Sequence, residues 1–153
     1  MDDKQLSPHF WLSEFTRSQA ASRLGQPIIA DALIQGALQM LCTNILEPVR
    51  DHFGRVDVSS GYRPPWLNES LPGTAKASQH QLGEAADFHV PGVSVKDVTQ
   101  WIADSDLPFD QLIYEFGESG WTHASYSARM RREVLSAQHG PTTTIYLSGI
   151  VDA

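Results

Sequence analysis

In Ser78-Gln79-His80-Gln81-Leu82-Gly83-Glu84-Ala85-Ala86-Asp87-Phe88-His89-Val90, a polar loop carrying an imidazole gives way, across a glycine, to a strand carrying a carboxylate. Residues 85–90 run from two alanines to an apolar Phe88 and Val90 and stop at Pro91-Gly92, which is how a short strand ends in a turn. Gly83 lets the backbone turn between His80 and that strand, and Ala85 leaves room for another element to approach. Imidazole and carboxylate are both zinc ligands. Two ligands do not complete a site, so the rest of the chain must supply a third.

Working outward, Val56-Asp57-Val58-Ser59-Ser60 alternates as a second strand, and Ser94 caps a helix through Asp104 with Val95, Val98 and Ile102 inward. Residues 111–116 and 121–126 flank Gly117-Glu118-Ser119-Gly120 and read as a hairpin, with a last strand at 142–147. Upstream, Thr16 and Gln19 fit a capping box for a short helix that stops at Gly25. From Asp31, the stripe Ile34, Leu38, Leu41, Ile45 and Val49 predicts a helix ending near Gly54, bent or restarted by Pro48. Residues 63–76, with Pro64, Pro65, Pro72 and Gly73, read as a loop. Helices first and hairpin-linked strands later predict an α+β fold, a small, mostly antiparallel sheet with helices packed on it.

The 153 residues, 41% apolar with a mean hydropathy of −0.26, suit one domain spanning 1–153. With 11 glycines and 9 prolines the composition is neither collagen-like nor low-complexity. A net charge of −7 opposes a phosphate backbone, so nucleic acid is not an expected partner. Cys42 is the one cysteine, which excludes an internal disulfide; on the apolar helix it belongs to the core. The start Met1-Asp2-Asp3-Lys4-Gln5 lacks the basic and apolar regions of a secretion signal, and no apolar run reaches ~20 residues. The expectation is a monomer made in the cytoplasm, without membrane insertion.

The third candidate ligand is His123. Strand alternation in Trp121-Thr122-His123-Ala124-Ser125 puts Trp121, His123 and Ser125 on one face. Two histidines and an aspartate leave one tetrahedral position open, the arrangement of a catalytic zinc site. His9, His52 and His139 lie among polar or turn residues and read as surface histidines, while His89 is a candidate hydrogen-bond donor behind a ligand.

Ser78-x-His80-x-x-Gly83-x-Ala85-x-Asp87 followed by Trp121-x-His123 resembles the zinc-binding signature of the D-Ala-D-Ala carboxypeptidase and L-alanyl-D-glutamate peptidase family. Phe10-x-Leu12-Ser13-Glu14-Phe15-Thr16-Arg17-Ser18, Ser60-Gly61-Tyr62-Arg63 and Phe109-Asp110-Gln111-Leu112-Ile113-Tyr114-Glu115 also resemble segments of its compact bacterial and phage members, over about residues 9–127. The resemblance implies the hedgehog/DD-peptidase fold, one Zn2+ ion on His80, Asp87 and His123, and hydrolysis of an amide in peptidoglycan stem peptides. Many relatives carry a glutamate three residues before the last histidine, where this chain has Gly120. Glu115 resembles the glutamate of the compact members and is the expected acid/base; Glu118 is the alternative. If Phe116 faces Thr122, Glu115 lies directly across from His123.

The resemblance also suggests that Arg63 binds substrate, where its planar fork suits a peptide carboxylate or the oxyanion. Ser78 is expected to contact substrate or order its loop, and Tyr62 and Trp121 to wall the cleft or pack in the core. Asp110 and Gln111 are expected to order the hairpin. The polar N-terminus fits a phage lysis enzyme, or a wall-cutting component of a virion, acting on the wall after release. The competing expectation is a non-catalytic, zinc-containing wall-binding or virion module on the same fold, for which Gly120 is the main support.

Overall fold

The computed structural model describes residues 3–71 and 78–152. A two-stranded ribbon, β1 (Gln5–Ser7) and β2 (Phe10–Trp11), sends Leu6 and Phe10 into the core. It is tied down by Glu47, whose carboxylate accepts hydrogen bonds from Ser7 Oγ at 2.6 Å and from the His9 amide at 2.8 Å. Helix α1 (Gln19–Leu24) ends at Gly25 as expected, but its cap is Ser18, whose hydroxyl accepts from the Ala21 amide. Thr16, the expected cap, instead donates to the Leu12 carbonyl within the preceding turn.

The long apolar stripe folds as α2 (Ala32–Leu41), a π-helical turn (Cys42–Leu46) and α3 (Glu47–Phe53). Pro48 has no amide hydrogen to give to the fourth carbonyl before it, and its ring crowds that turn. The helix responds by widening, with the Glu47 amide reaching back to the Cys42 carbonyl. Leu38, Leu41, Cys42, Ile45, Leu46 and Val49 are all fully buried along this element.

Next come β3 (Asp57–Ser60), α4 (Pro65–Ser70), β4 (Ala85–His89) and α5 (Val95–Asp104). Helix α4 corrects the expectation of a loop from 63 onward: Pro65 stands in its first turn, where a missing amide hydrogen costs nothing. Pro72, Gly73 and Lys76, the rest of that expected loop, lie outside the described residues. Ser94 caps α5 by accepting from the Asp97 amide.

The chain then forms β5 (Gln111–Glu115), β6 (Trp121–Ser125), β7 (Glu133–His139) and β8 (Thr144–Ser148). The main sheet has the order β3-β4-β6-β5-β7-β8. Strand β7 was not expected, and it pairs parallel to β5; the other pairings are antiparallel, so the sheet is mostly antiparallel, as expected, with one parallel pair. The cause is the segment after β6, which crosses the start of β5 and is pinned there. Asp110, fully buried, accepts from Arg131 Nε at 2.8 Å, from Arg131 and Arg129 guanidinium nitrogens at 3.1 Å, and from Gln79 Nε2 at 2.9 Å. Asp110 therefore orders this crossing and the turn before His80, a wider role than ordering the hairpin alone.

Register divides the sheet into two faces. Val58, Ala86, Phe88, Leu112 and Ala124 face the helices and join the core with Phe15, Leu38, Val98 and Ile102. Thr122 on this face meets its polar need through the Thr99 hydroxyl of α5 at 2.9 Å. Asp87, His123, Ile113 and Leu135 occupy one cross-strand row on the opposite face.

Candidate metal centre and cleft

His80 lies in a 3-10 turn, Gln79–Leu82, that Ser78 caps and Gly83 closes in the left-handed region at φ 71°. Only a residue without a side chain takes that angle freely, and the reversal aims His80 back toward β4. The His80 Nδ1–H donates to the Gly61 carbonyl at 2.8 Å, which leaves Nε2 as the ligating nitrogen. His80 Nε2 stands 3.4 Å from Asp87 Oδ1, and His123 Nδ1 stands 3.0 Å from the same oxygen. Asp87 and His123 are directly paired across β4 and β6.

One donor atom from each of His80, Asp87 and His123 lies within 4.8 Å of the others, and all three residues are buried. Zinc bonds of about 2.0–2.1 Å place tetrahedral donors about 3.3 Å apart, so the spacing and the N,N,O donor set fit that ion. Burial opposes a charge on Asp87, but His80 and His123 outweigh it and hold the carboxyl well below the usual range, in the form that ligates.

These residues form part of a cleft of about 850 Å³ that also takes in Arg63, Ser78, Glu115 and Trp121. Glu115 Oε1 lies 3.6 Å from His123 Nδ1. The register behind this contact differs from the expected one: Glu115 pairs with Trp121, and Ile113 with His123. The offset is two residues, not one, so Glu115 keeps the His123 face and reaches it diagonally. Burial and the neighbouring Asp87 carboxylate push the Glu115 pKa up to about 7. The buried Trp121 indole N–H has no acceptor in good hydrogen-bond geometry among the described residues, but lies near enough to Glu115 to favour its ionised form.

Glu118 is engaged elsewhere. Its carboxylate accepts from the Val95 and Lys96 amides, at 2.9 and 3.0 Å, and from the Tyr114 hydroxyl at 2.5 Å, closing the first turn of α5. Gly120 has a steric reason: a Cβ there would stand 1.7 Å from the Glu115 carbonyl oxygen. In this hairpin a glutamate does not fit at position 120, and the nearest carboxylate comes from the adjoining strand.

Arg63 lines the cleft with its Nε buried and without a hydrogen-bond partner among the described residues, and Ser78 lines it beside the cap it makes for His80. Of the two expectations for Tyr62, cleft wall or core, the structure has it packed against the core, and its amide donates to the Phe15 carbonyl. His89 is exposed and faces Asp57 at 3.6 Å, so it does not support a ligand. Sequence reasoning missed the far wall, made by Leu135, His139, Thr144 and Tyr146, because β7 was not expected as a strand. Its available signal was the alternation of Leu135, Ala137 and His139.

Two buried imidazoles and a buried carboxylate converging in an open cleft form a group that could hold one metal ion. The profile of the family described as Peptidase M15 matches residues 8–125 of the 153, and the chain belongs to that family of zinc-dependent, D-Ala-D-Ala carboxypeptidase-like metallopeptidases. No curated protein matches the chain.

Proposed function

We propose that this protein hydrolyses an amide bond in peptidoglycan stem peptides, either the D-Ala-D-Ala bond or the L-Ala-D-Glu bond. The observation that carries this reading is Glu115, 3.6 Å from His123 beside three converging metal ligands, on the floor of a cleft large enough for a peptide. His80, Asp87 and His123 would hold zinc, which would supply Lewis acidity toward the scissile carbonyl and the attacking water. Glu115 takes the proton from that water and passes it to the leaving amine nitrogen as the C–N bond breaks. A carboxyl with a pKa raised to about 7 changes state readily near neutral pH, as both halves of that transfer require. Arg63 supplies fixed positive charge for the carbonyl oxygen or a substrate carboxylate. Burial lowers the pKa of its guanidinium, and the Asp87 and Glu115 carboxylates oppose that lowering.

The non-catalytic reading drew its support from Gly120, and the closeness of the Glu115 carbonyl gives that glycine a steric explanation. Digestion of a defined stem peptide followed by mass spectrometry tests the proposal. The expected result is loss of D-Ala, or scission after L-Ala, that stops on zinc chelation and falls by about 100-fold or more in Glu115→Gln. Zinc-loaded protein that leaves every stem peptide intact would overturn it.

A further inference from the structure

The cleft floor extends past the residues matched to the family. Strands β7 and β8 lie beyond residue 125 and continue the face that bears the ligands. Their pairing sets Trp121, Glu115, Ala137 and Tyr146 in one row across β6, β5, β7 and β8. Two strand spacings, about 10 Å, separate the backbones of Glu115 and Tyr146. Between them Ala137 stops at Cβ, so the floor is low at that point and the Tyr146 ring has space to lie over it.

Tyr146 lines the cleft, is 55% exposed, and makes no hydrogen bond through its hydroxyl among the described residues. A tyrosine kept for packing would bury its ring, and one kept for structure would pair its hydroxyl. Burial of part of the ring and the nearby Glu115 and Asp87 carboxylates push its pKa up, so the hydroxyl is a donor at neutral pH. Beside it, His139 pairs with Thr144 and stacks on Phe116 at 4.2 Å and 15°. Phe116 reaches that position through a left-handed φ of 62°, and its ring also meets Trp121 edge-on at 5.5 Å.

The two ends of the cleft differ in charge. Arg129 and Arg131 stand at the start of β5, held by Asp110, whereas Phe116, Trp121, Thr144 and Tyr146 at its far end are uncharged. An anionic group at the far end would meet the Glu115 carboxylate, with Arg129 and Arg131 at the other end and Arg63 already facing Asp87 and Glu115. An uncharged group bearing oxygen acceptors suits an aromatic stack with one free hydroxyl donor.

We propose that the β7–β8 hairpin forms a substrate subsite in which Tyr146 is a specificity-determining contact, donating a hydrogen bond to an uncharged, oxygen-bearing group beside the scissile amide. That group is a peptide carbonyl or an oxygen of the attached sugar, held against the Phe116–His139 stack. This rests on the peptidoglycan reading above.

The test uses a defined stem peptide with and without its disaccharide, and the variants Tyr146→Phe and Tyr146→Ala. Hydrolysis is measured in the zinc-loaded protein, and equilibrium binding in a Glu115→Gln background, where the peptide survives. Tyr146→Phe is expected to lower kcat/KM about tenfold, chiefly through KM, and to weaken binding by a similar factor, about 1.4 kcal/mol. Zinc stoichiometry and Tm stay unchanged, since the residue is exposed. Loss confined to the disaccharide substrate assigns the contact to sugar; loss on both assigns it to the peptide. Both variants binding as tightly as their parent, on both ligands, would overturn the subsite. Wild-type protein that binds but never cleaves would overturn the peptidase reading alone, because the binding arm still judges Tyr146.

Discussion

Adjacent residues on β4 have opposite duties. Phe88 faces the helices, fully buried among Val58, Ala124 and Leu38, while Asp87 faces the cleft between two histidines. The same division runs through β5, where Leu112 and Tyr114 face inward and Ile113 and Glu115 face the cleft, and through β6, where Ala124 and His123 divide likewise. A strand's period of two makes this division sharp, and any one-residue slip would exchange core for chemistry. The apolar face sets the register, and the register aligns the ligands.

The contrast breaks most visibly at this pair of neighbours. Asp87→Ala should abolish zinc retention and turnover, measured by metal analysis after gel filtration. Phe88→Ala should cost about 3–5 kcal/mol in denaturant unfolding yet retain one zinc per chain in the folded fraction. Loss of zinc from folded Phe88→Ala would mean that the two faces are not separable.

Asp110 sharpens the comparison, being buried charge that supports both faces through the crossing segment and Gln79. Asp110→Asn should lower stability by about 3 kcal/mol, because Arg131 loses a paired carboxylate. Burial opposes its ionisation, but the Arg131 hydrogen bonds prevail and hold its pKa well below the usual carboxylate value. A depressed folded-state pKa contributes stability that is complete above the unfolded value of about 3.9 and is lost progressively as pH falls from there through the lower folded value. The gap between wild type and Asp110→Asn should therefore be widest near neutral pH and shrink on acidification, in unfolding curves taken from pH 7 down to 3. A gap independent of pH would discount the ion pair.

The smallest effect is expected at Glu118. Glu118→Gln should cost about 1 kcal/mol of stability through the weakened α5 terminus, with hydrolysis within about twofold of wild type. A large loss of turnover in this stable variant would return the acid/base role to Glu118.

Much of this was legible along the chain. The Ser94 cap, the Ile34-to-Val49 stripe and the two strands of the β5–β6 hairpin depend on local patterns, and they fold where those patterns place them. Helix α4 was hidden by prolines that serve its first turn. Strand β7 was hidden because its partner, β5, is reached only after the chain crosses that strand's start. The turn between β5 and β6 concealed its register, since Phe116 adopts a left-handed angle unusual for a bulky residue and shifts the pairing by two.

By itself the sequence determined which side chains can ligate zinc, which stripes are apolar and which turns require glycine, since these follow from residue chemistry and short-range geometry. Only the tertiary structure decided that Glu115 rather than Glu118 stands beside His123, that Tyr62 packs against the core and not on the cleft wall, and that β7 and β8 build its far wall. Those outcomes depend on strand register and on Asp110 joining segments far apart in the chain. Both are settled by long-range pairing, which no local pattern encodes.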